Sequence, residues 1–128
     1  MANKIIAIAL IVSDLQKAVD FYRNKLGLKL VRIDDGYAEF KTEGAILELM
    51  EEKTVGDLVD MGKIKAEQPS KAFYLAWDAV EDVDALYQEL KEKGVEFIVE
   101  PKTMPWGQRV AYFTDPDGNL WEISQCVE

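Results

Sequence analysis

The sequence predicts an α+β fold: two tandem βαβββ modules whose strands curve into a partly closed mixed-sheet barrel around a concave cleft. Three observations carry that prediction. The stretch V-A-Y-F-T-D-P-D-G-N-L-W-E-I (110–123) spells a β-hairpin, with β-branched and aromatic residues on either side of Asp115-Pro116-Asp117-Gly118. In that turn Pro fixes φ and Gly is free to take φ > 0. The chain also repeats itself: G-A-I-L-E-L (44–49) matches G-N-L-W-E-I (118–123), and V-S-D-L (12–15) matches V-E-D-V (80–83). Each of the latter motifs opens an amphipathic helix that stops at a glycine and leads into a strand, L-G-L-K-L-V from Leu26 and K-G-V-E-F-I from Lys93. A βαβββ unit covers one sheet face with its helix and leaves the other bare. Pairing two bare faces, within a chain or between chains, encloses a concave space suited to a ligand.

Taken in order, 5–12 is an apolar strand with Ala7, Ala9 and Ile11 on one face. Ser13 reads as a helix cap, with Gln16 completing a capping box. Leu15, Ala18, Val19, Tyr22 and Leu26 form the apolar stripe, and Gly27 ends the helix. Strands follow at 28–33, 37–41 and 45–50, joined by Asp34-Asp35-Gly36 and Glu43-Gly44. The polar stretch 51–70 reads as a connection between modules, with one helical turn near 55–61; its length also suits a lid. The second module repeats the order: a strand at 72–77, a helix at 81–93 with Val83, Leu86, Tyr87 and Leu90 inward, a strand at 95–99, a loop at 101–107, then the hairpin. The whole chain, 1–128, is therefore expected to be one domain, with modules at 1–52 and 71–128 and a linker at 53–70.

Composition bounds the function. At 128 residues the chain suits a single core. An apolar share of 48% and a charged share of 30% are those of a soluble globular protein. The net charge of −9 disfavours nucleic acid, whose phosphates need a basic face. The single cysteine, Cys126, forms no intrachain disulfide, which fits a reducing, cytoplasmic setting. No run approaches the roughly 20 apolar residues of a membrane span, and 5–12 lacks the cleavage site of a signal peptide. The chain has no histidine, which removes the Ser-His-Asp and Cys-His nucleophilic arrangements.

The repeat places Glu48 and Glu122 at equivalent positions on the last strand of each module. A carboxylate in so apolar a strand is exposed, paired or used. If Leu47 and Trp121 pack on their helices, both glutamates face the cleft.

These residues resemble the vicinal oxygen chelate superfamily, which holds glyoxalase I, extradiol dioxygenases, fosfomycin-resistance enzymes and bleomycin-resistance proteins. The resemblance covers nearly the whole chain. It rests on I-V-S-D-L-Q-K-A-V-D-F-Y-R-N-K-L-G-L (11–28), the helix and strand at 82–97, and P-W-G-Q-R-V-A-Y-F-T-D-P-D-G-N-L-W-E-I (105–123). Metal-dependent members carry two ligands per module, His or Gln on the first strand and Glu on the last. Glu48 and Glu122 match the last-strand positions, whereas Ala7 stands at the first-strand position and Ala72 or Phe73 at its counterpart. The resemblance thus implies a metal-independent, homodimeric binding protein without a cofactor, sequestering a cationic or aromatic antibiotic-like ligand. Its expected cleft residues are Glu48, Glu122, Trp106, Trp77, Phe113, Arg109 and Ala7. Only one of Tyr112 and Phe113 can line the cleft, because neighbours on a strand face opposite ways. The alternative is a lyase or dioxygenase-like enzyme with an atypical divalent metal at Glu48 and Glu122. In a further reading the two glutamates are relics of a metal site, now bonded to Arg109 or to lysines.

Overall fold

A computed structural model describes residues 5, 7–58, 75–77 and 80–127. The chain divides into two compact units, Met1–Pro69 and Ser70–Glu128. The strands form two four-stranded mixed sheets, one per unit, as expected for an α+β chain of two βαβββ modules.

The first unit runs β1 (Ala7–Val12), α1 (Leu15–Asp20), a π-helical turn (Phe21–Lys25), β2 (Lys29–Asp34), β3 (Tyr37–Lys41), β4 (Ile46–Glu51) and α2 (Glu52–Leu58). The sheet order is β1-β4-β3-β2, with β1 parallel to β4 and the other pairs antiparallel. α1 packs on β3 and β4, against Ala38, Phe40, Leu47 and Leu49, all buried. The predicted stripe is buried as expected, and Phe21 joins it. Adjacent residues of an α-helix lie about 100° apart, so a regular helix would turn Phe21 aside. The π turn, closed by Leu26 N–H on the Phe21 carbonyl, widens the helix. Both rings then reach the core, with Phe21 and Tyr22 edge-to-face at 5.2 Å. The cap is Asp14 rather than Ser13: its carboxylate accepts from Lys17 N–H at 3.1 Å. The helical turn expected at 55–61 is α2, which begins at Glu52; residues 59–70, including most of the expected lid, lie outside the described residues.

The second unit runs β5 (Leu75–Ala76), α3 (Val83–Glu92), β6 (Glu96–Thr103), β7 (Gln108–Thr114) and β8 (Leu120–Cys126), in sheet order β5-β8-β7-β6. It repeats the first unit down to register. Phe40 pairs with Leu47 and Ala38 with Leu49; Phe113 pairs with Trp121 and Ala111 with Ile123. Asp82 caps α3 as Asp14 caps α1, accepting from Ala85 N–H at 3.0 Å. The last strand of each unit adds a second cap. Glu51 accepts Leu15 N–H at 2.9 Å and Gln125 accepts Val83 N–H at 3.0 Å, which satisfies an otherwise orphaned donor in each first helical turn.

β6 corrects the sequence reading. It continues through Pro101 to Thr103, leaving only Met104–Gly107 as loop. Two bulges make this workable. Phe97 pairs with Phe113 but Val99 with Tyr112, and Lys102 pairs with Val110. Pro101 falls in the second bulge, where no ladder N–H is required of it.

Candidate functional site

The two faces of the second sheet divide the predicted cleft residues. On the α3 side, Phe113 is fully buried, stacked on Trp121 at 6.4 Å and tilted against Phe97 at 5.4 Å. Trp77 meets Phe113 edge-on at 6.4 Å. Arg109 shares this side. Its guanidinium grips Asp84 on α3 through two bonds, Nε to Oδ2 at 2.6 Å and Nη2 to Oδ1 at 2.9 Å, and reaches Thr103 Oγ1 at 3.0 Å. That pair holds the Asp84 carboxyl below its usual range, mainly through the hydrogen bond from Arg109. Phe113 and Arg109, both expected in a cleft, therefore belong to the helix-side packing, and Tyr112 is the β7 aromatic that shares a face with Glu122.

On the opposite face, Glu122 is buried, and the Tyr112 hydroxyl donates to its Oε2 at 2.6 Å. The two residues sit directly across β7 and β8. Beside them runs an apolar groove of about 270 Å³, lined by Ile98, Val99, Lys102, Met104, Trp106, Val110, Tyr112 and Leu120. Trp106 is 67% exposed on the Met104–Gly107 loop. The loop is tied down at several points: Met104 N–H to Gln108 O at 2.6 Å, Gly107 N–H to Met104 O at 3.1 Å, and Val127 N–H to Gly107 O at 3.0 Å. Trp106 Nε1–H donates to Gln108 Oε1 at 2.9 Å, which orients the indole. Of the groove residues, sequence reasoning placed Trp106 in the cleft and left Tyr112 as the alternative to Phe113. The signal it passed over is Glu100-Pro101: a proline amid strand-forming residues marks a bulge as readily as a loop.

In the first unit, Glu48 shares a sheet face with Ala7 and Ala9, since β1 pairs Ala7 with Ile46 and Ala9 with Glu48. Directly across the strand pair stands a second carboxylate, Glu39. Like charges placed so oppose folding. The Tyr37 hydroxyl lies between them, 2.7 Å from Glu39 Oε1 and 3.0 Å from Glu48 Oε2, sharing one proton between two acceptors. Burial first, then these bonds and the two negative charges, push the Tyr37 phenol well above its ordinary value. Among the described residues, each repeated glutamate is thus held by a tyrosine of its own sheet, and neither bonds Arg109 or a lysine.

The donor set does not fit the superfamily's four-ligand metal centre. Ala7 offers no lone pair at the first-strand position, and its counterparts Ala72 and Phe73 lie outside the described residues. Glu48 and Glu122 are engaged by tyrosines, and zinc sites draw on three or four protein ligands rich in His and Cys. Among the described residues no cluster of three or more Cys, Asp or Glu could hold a metal ion.

A mixed four-stranded sheet with one helix-covered face, repeated in tandem, defines the class: this is a vicinal oxygen chelate fold. The chain belongs to the Glyoxalase/Bleomycin resistance protein/Dioxygenase superfamily, whose family model matches residues 4–123. It is 37% identical to an uncharacterised protein, YraH, of Bacillus subtilis, over 97% of this chain and 99% of that one. It is 30% identical to a bleomycin resistance protein of Geobacillus stearothermophilus, over 94% and 95% of the two chains. A crystal structure of a glyoxalase/bleomycin resistance protein/dioxygenase from Nocardioides superposes with a TM-score of 0.79 at 32% identity, covering 100% of this chain and 86% of that one. No described helix is long and apolar enough to cross a membrane.

Proposed function

We propose that this protein is a homodimeric, cytoplasmic, metal-independent binding protein that sequesters an aromatic, antibiotic-like small molecule in the groove of its second unit. The observation that carries the reading is Trp106, an indole left largely in water yet fixed in orientation by Gln108 at the mouth of an apolar groove. Covering such a ring removes on the order of 150 Å² of apolar surface from water, roughly 3–4 kcal/mol before the cost of immobilising the ligand. Pre-orienting the indole lowers that cost. The relationship to a bleomycin resistance protein, at 30% identity over nearly full length, supports the same reading. The cationic ligand that the resemblance implies has no counterpart in the groove lining, where Lys102 is the one charged side chain among the described residues.

Titration with bleomycin and a panel of planar aromatic compounds, followed by tryptophan fluorescence and melting temperature, tests the proposal. A true ligand at a hundred times its Kd raises stability by about 2.7 kcal/mol. Trp106→Ala is expected to weaken binding about tenfold or more, the loss of a partly buried aromatic anchor. If no compound quenches fluorescence or shifts melting, the sequestration reading falls.

A further inference from the structure

Lys102 reaches the groove only because β6 is irregular. Val99 pairs with Tyr112 and Lys102 with Val110, so Glu100 and Pro101 stand opposite Ala111 alone. Three positions separate Val99 from Lys102, an odd offset that would set them on opposite faces of a regular strand. The bulge turns Lys102 back onto the face of Val99 and Val110, both of which line the groove. Glu100, the nearest acidic neighbour in sequence, is turned toward α3 instead, where the Tyr87 hydroxyl lies 3.5 Å from it. Among the described residues the Lys102 ammonium has no hydrogen bond or ion pair. Among the described residues, Lys102 is thus the one positive charge on the lining of the apolar groove.

We infer that the groove selects a flat, apolar or aromatic ligand bearing an acidic group, a carboxylate in the simplest case, which docks against Lys102. The inference rests on the small-molecule-binding reading above and adds the sign of the ligand's charge. The net charge of −9 argues for the opposite sign, so the two influences must be weighed. Glu122 lies across β7 from Lys102, on the order of 12 Å away by strand spacing and rise. A contact at about 4 Å exceeds one at that distance threefold in Coulomb energy at equal dielectric. Surface charges farther off are damped by a Debye length of about 8 Å in physiological salt. The near lysine therefore outweighs the distant acids, and the ligand's acidic end points away from Glu122.

Calorimetric titration of three isosteres separates the possibilities: naphthoate, the neutral naphthamide, and the cationic naphthylmethylamine. The expected order is naphthoate tightest, about tenfold over the amide, with the amine weakest. Lys102→Gln should bring naphthoate to within about twofold of the amide, and Lys102→Glu should invert the order. The naphthoate advantage should also shrink as salt is raised. Equal binding of naphthoate and amide by the natural protein, or an advantage that survives Lys102→Gln, overturns the inference and leaves groove binding standing. Failure of all three to bind overturns the inference together with the groove reading beneath it.

Discussion

Tyr37 and Tyr112 perform the same task from different positions in their sheets, each supplying a hydroxyl to the repeated glutamate of its sheet. Sequence comparison brought out Glu48 and Glu122 because the flanking apolar pattern recurs around them. It did not bring out the tyrosines, because they occupy different registers: Tyr112 faces Glu122 directly, whereas Tyr37 pairs with Met50 and reaches Glu48 along the strand. The raised phenol of Tyr37 has a consequence for alkaline stability. A group that holds its proton more tightly when folded contributes stability that is complete below its unfolded value, near 10 for tyrosine, and is lost as pH climbs beyond it. Tyr37→Phe should therefore melt lower than the natural protein near neutrality, by about 1–2 kcal/mol of lost hydrogen bonding and uncovered like charge. Between about pH 9 and 11 its melting temperature should fall less steeply. Parallel melting profiles for the two proteins would mean that Tyr37 ionises as an ordinary tyrosine.

Among the elements, the turn between β2 and β3 and the hairpin turn between β7 and β8 look alike in sequence, each ending its acidic run in glycine. Gly36 and Gly118 adopt similar backbones, φ 77° and 83°, but their surroundings differ. A methyl group on Gly36 would collide with Thr54 of α2, whereas nothing stands within 4 Å of one on Gly118. Gly36 O also accepts Glu51 N–H at 3.0 Å, so the turn is bound to the end of β4, one residue before α2. Gly118→Ala is expected to cost about 1 kcal/mol for the left-handed backbone alone. Gly36→Ala should cost about 2–3 kcal/mol, because the Thr54 hydroxyl must leave its place and the Lys53 stem must give way as well. Chemical denaturation of both variants gives the comparison, and equal losses would show that α2 yields freely. The hairpin turn has its own support in Asp115, whose carboxylate accepts Asp117 N–H, Asn119 N–H and the Asn119 side-chain amide at 2.8–3.0 Å. D-P-D-G-N is legible as a turn from composition, and these bonds are the mechanism behind it.

For the whole molecule, the proposed homodimer is tested by sedimentation equilibrium at several protein concentrations. Twice the chain mass is expected throughout a micromolar range with reductant present, which keeps the exposed Cys126 thiol from cross-linking two chains; a monomer at all concentrations would remove the dimer from the proposal. The repeated βαβββ order was legible in the chain because it depends on local signals: period-two and helical apolar patterns, glycine stops and turn residues, each written within a few neighbouring positions. Ala38 and Phe40 occupy the same register positions in their hairpin as Ala111 and Phe113 do in theirs, since a one-residue slip would expose every core side chain. Which side chains share a face across strands was not legible, because bulges and helix widening break the periods on which such inference runs. The π turn brought Phe21 inward, and the bulges of β6 turned Lys102 onto the groove face. Register across β7 and α3 placed Phe113 and Arg109 on the packed side, away from Glu122. By itself, then, the sequence determined the secondary elements, their duplication, the two paired glutamates and the absence of a histidine-based site. Only the tertiary structure decided that those glutamates are bound by tyrosines and that the groove beside Trp106 carries a lysine. Hydrogen-bond partners and sheet faces depend on contacts between residues far apart in the chain, and a local pattern does not encode them.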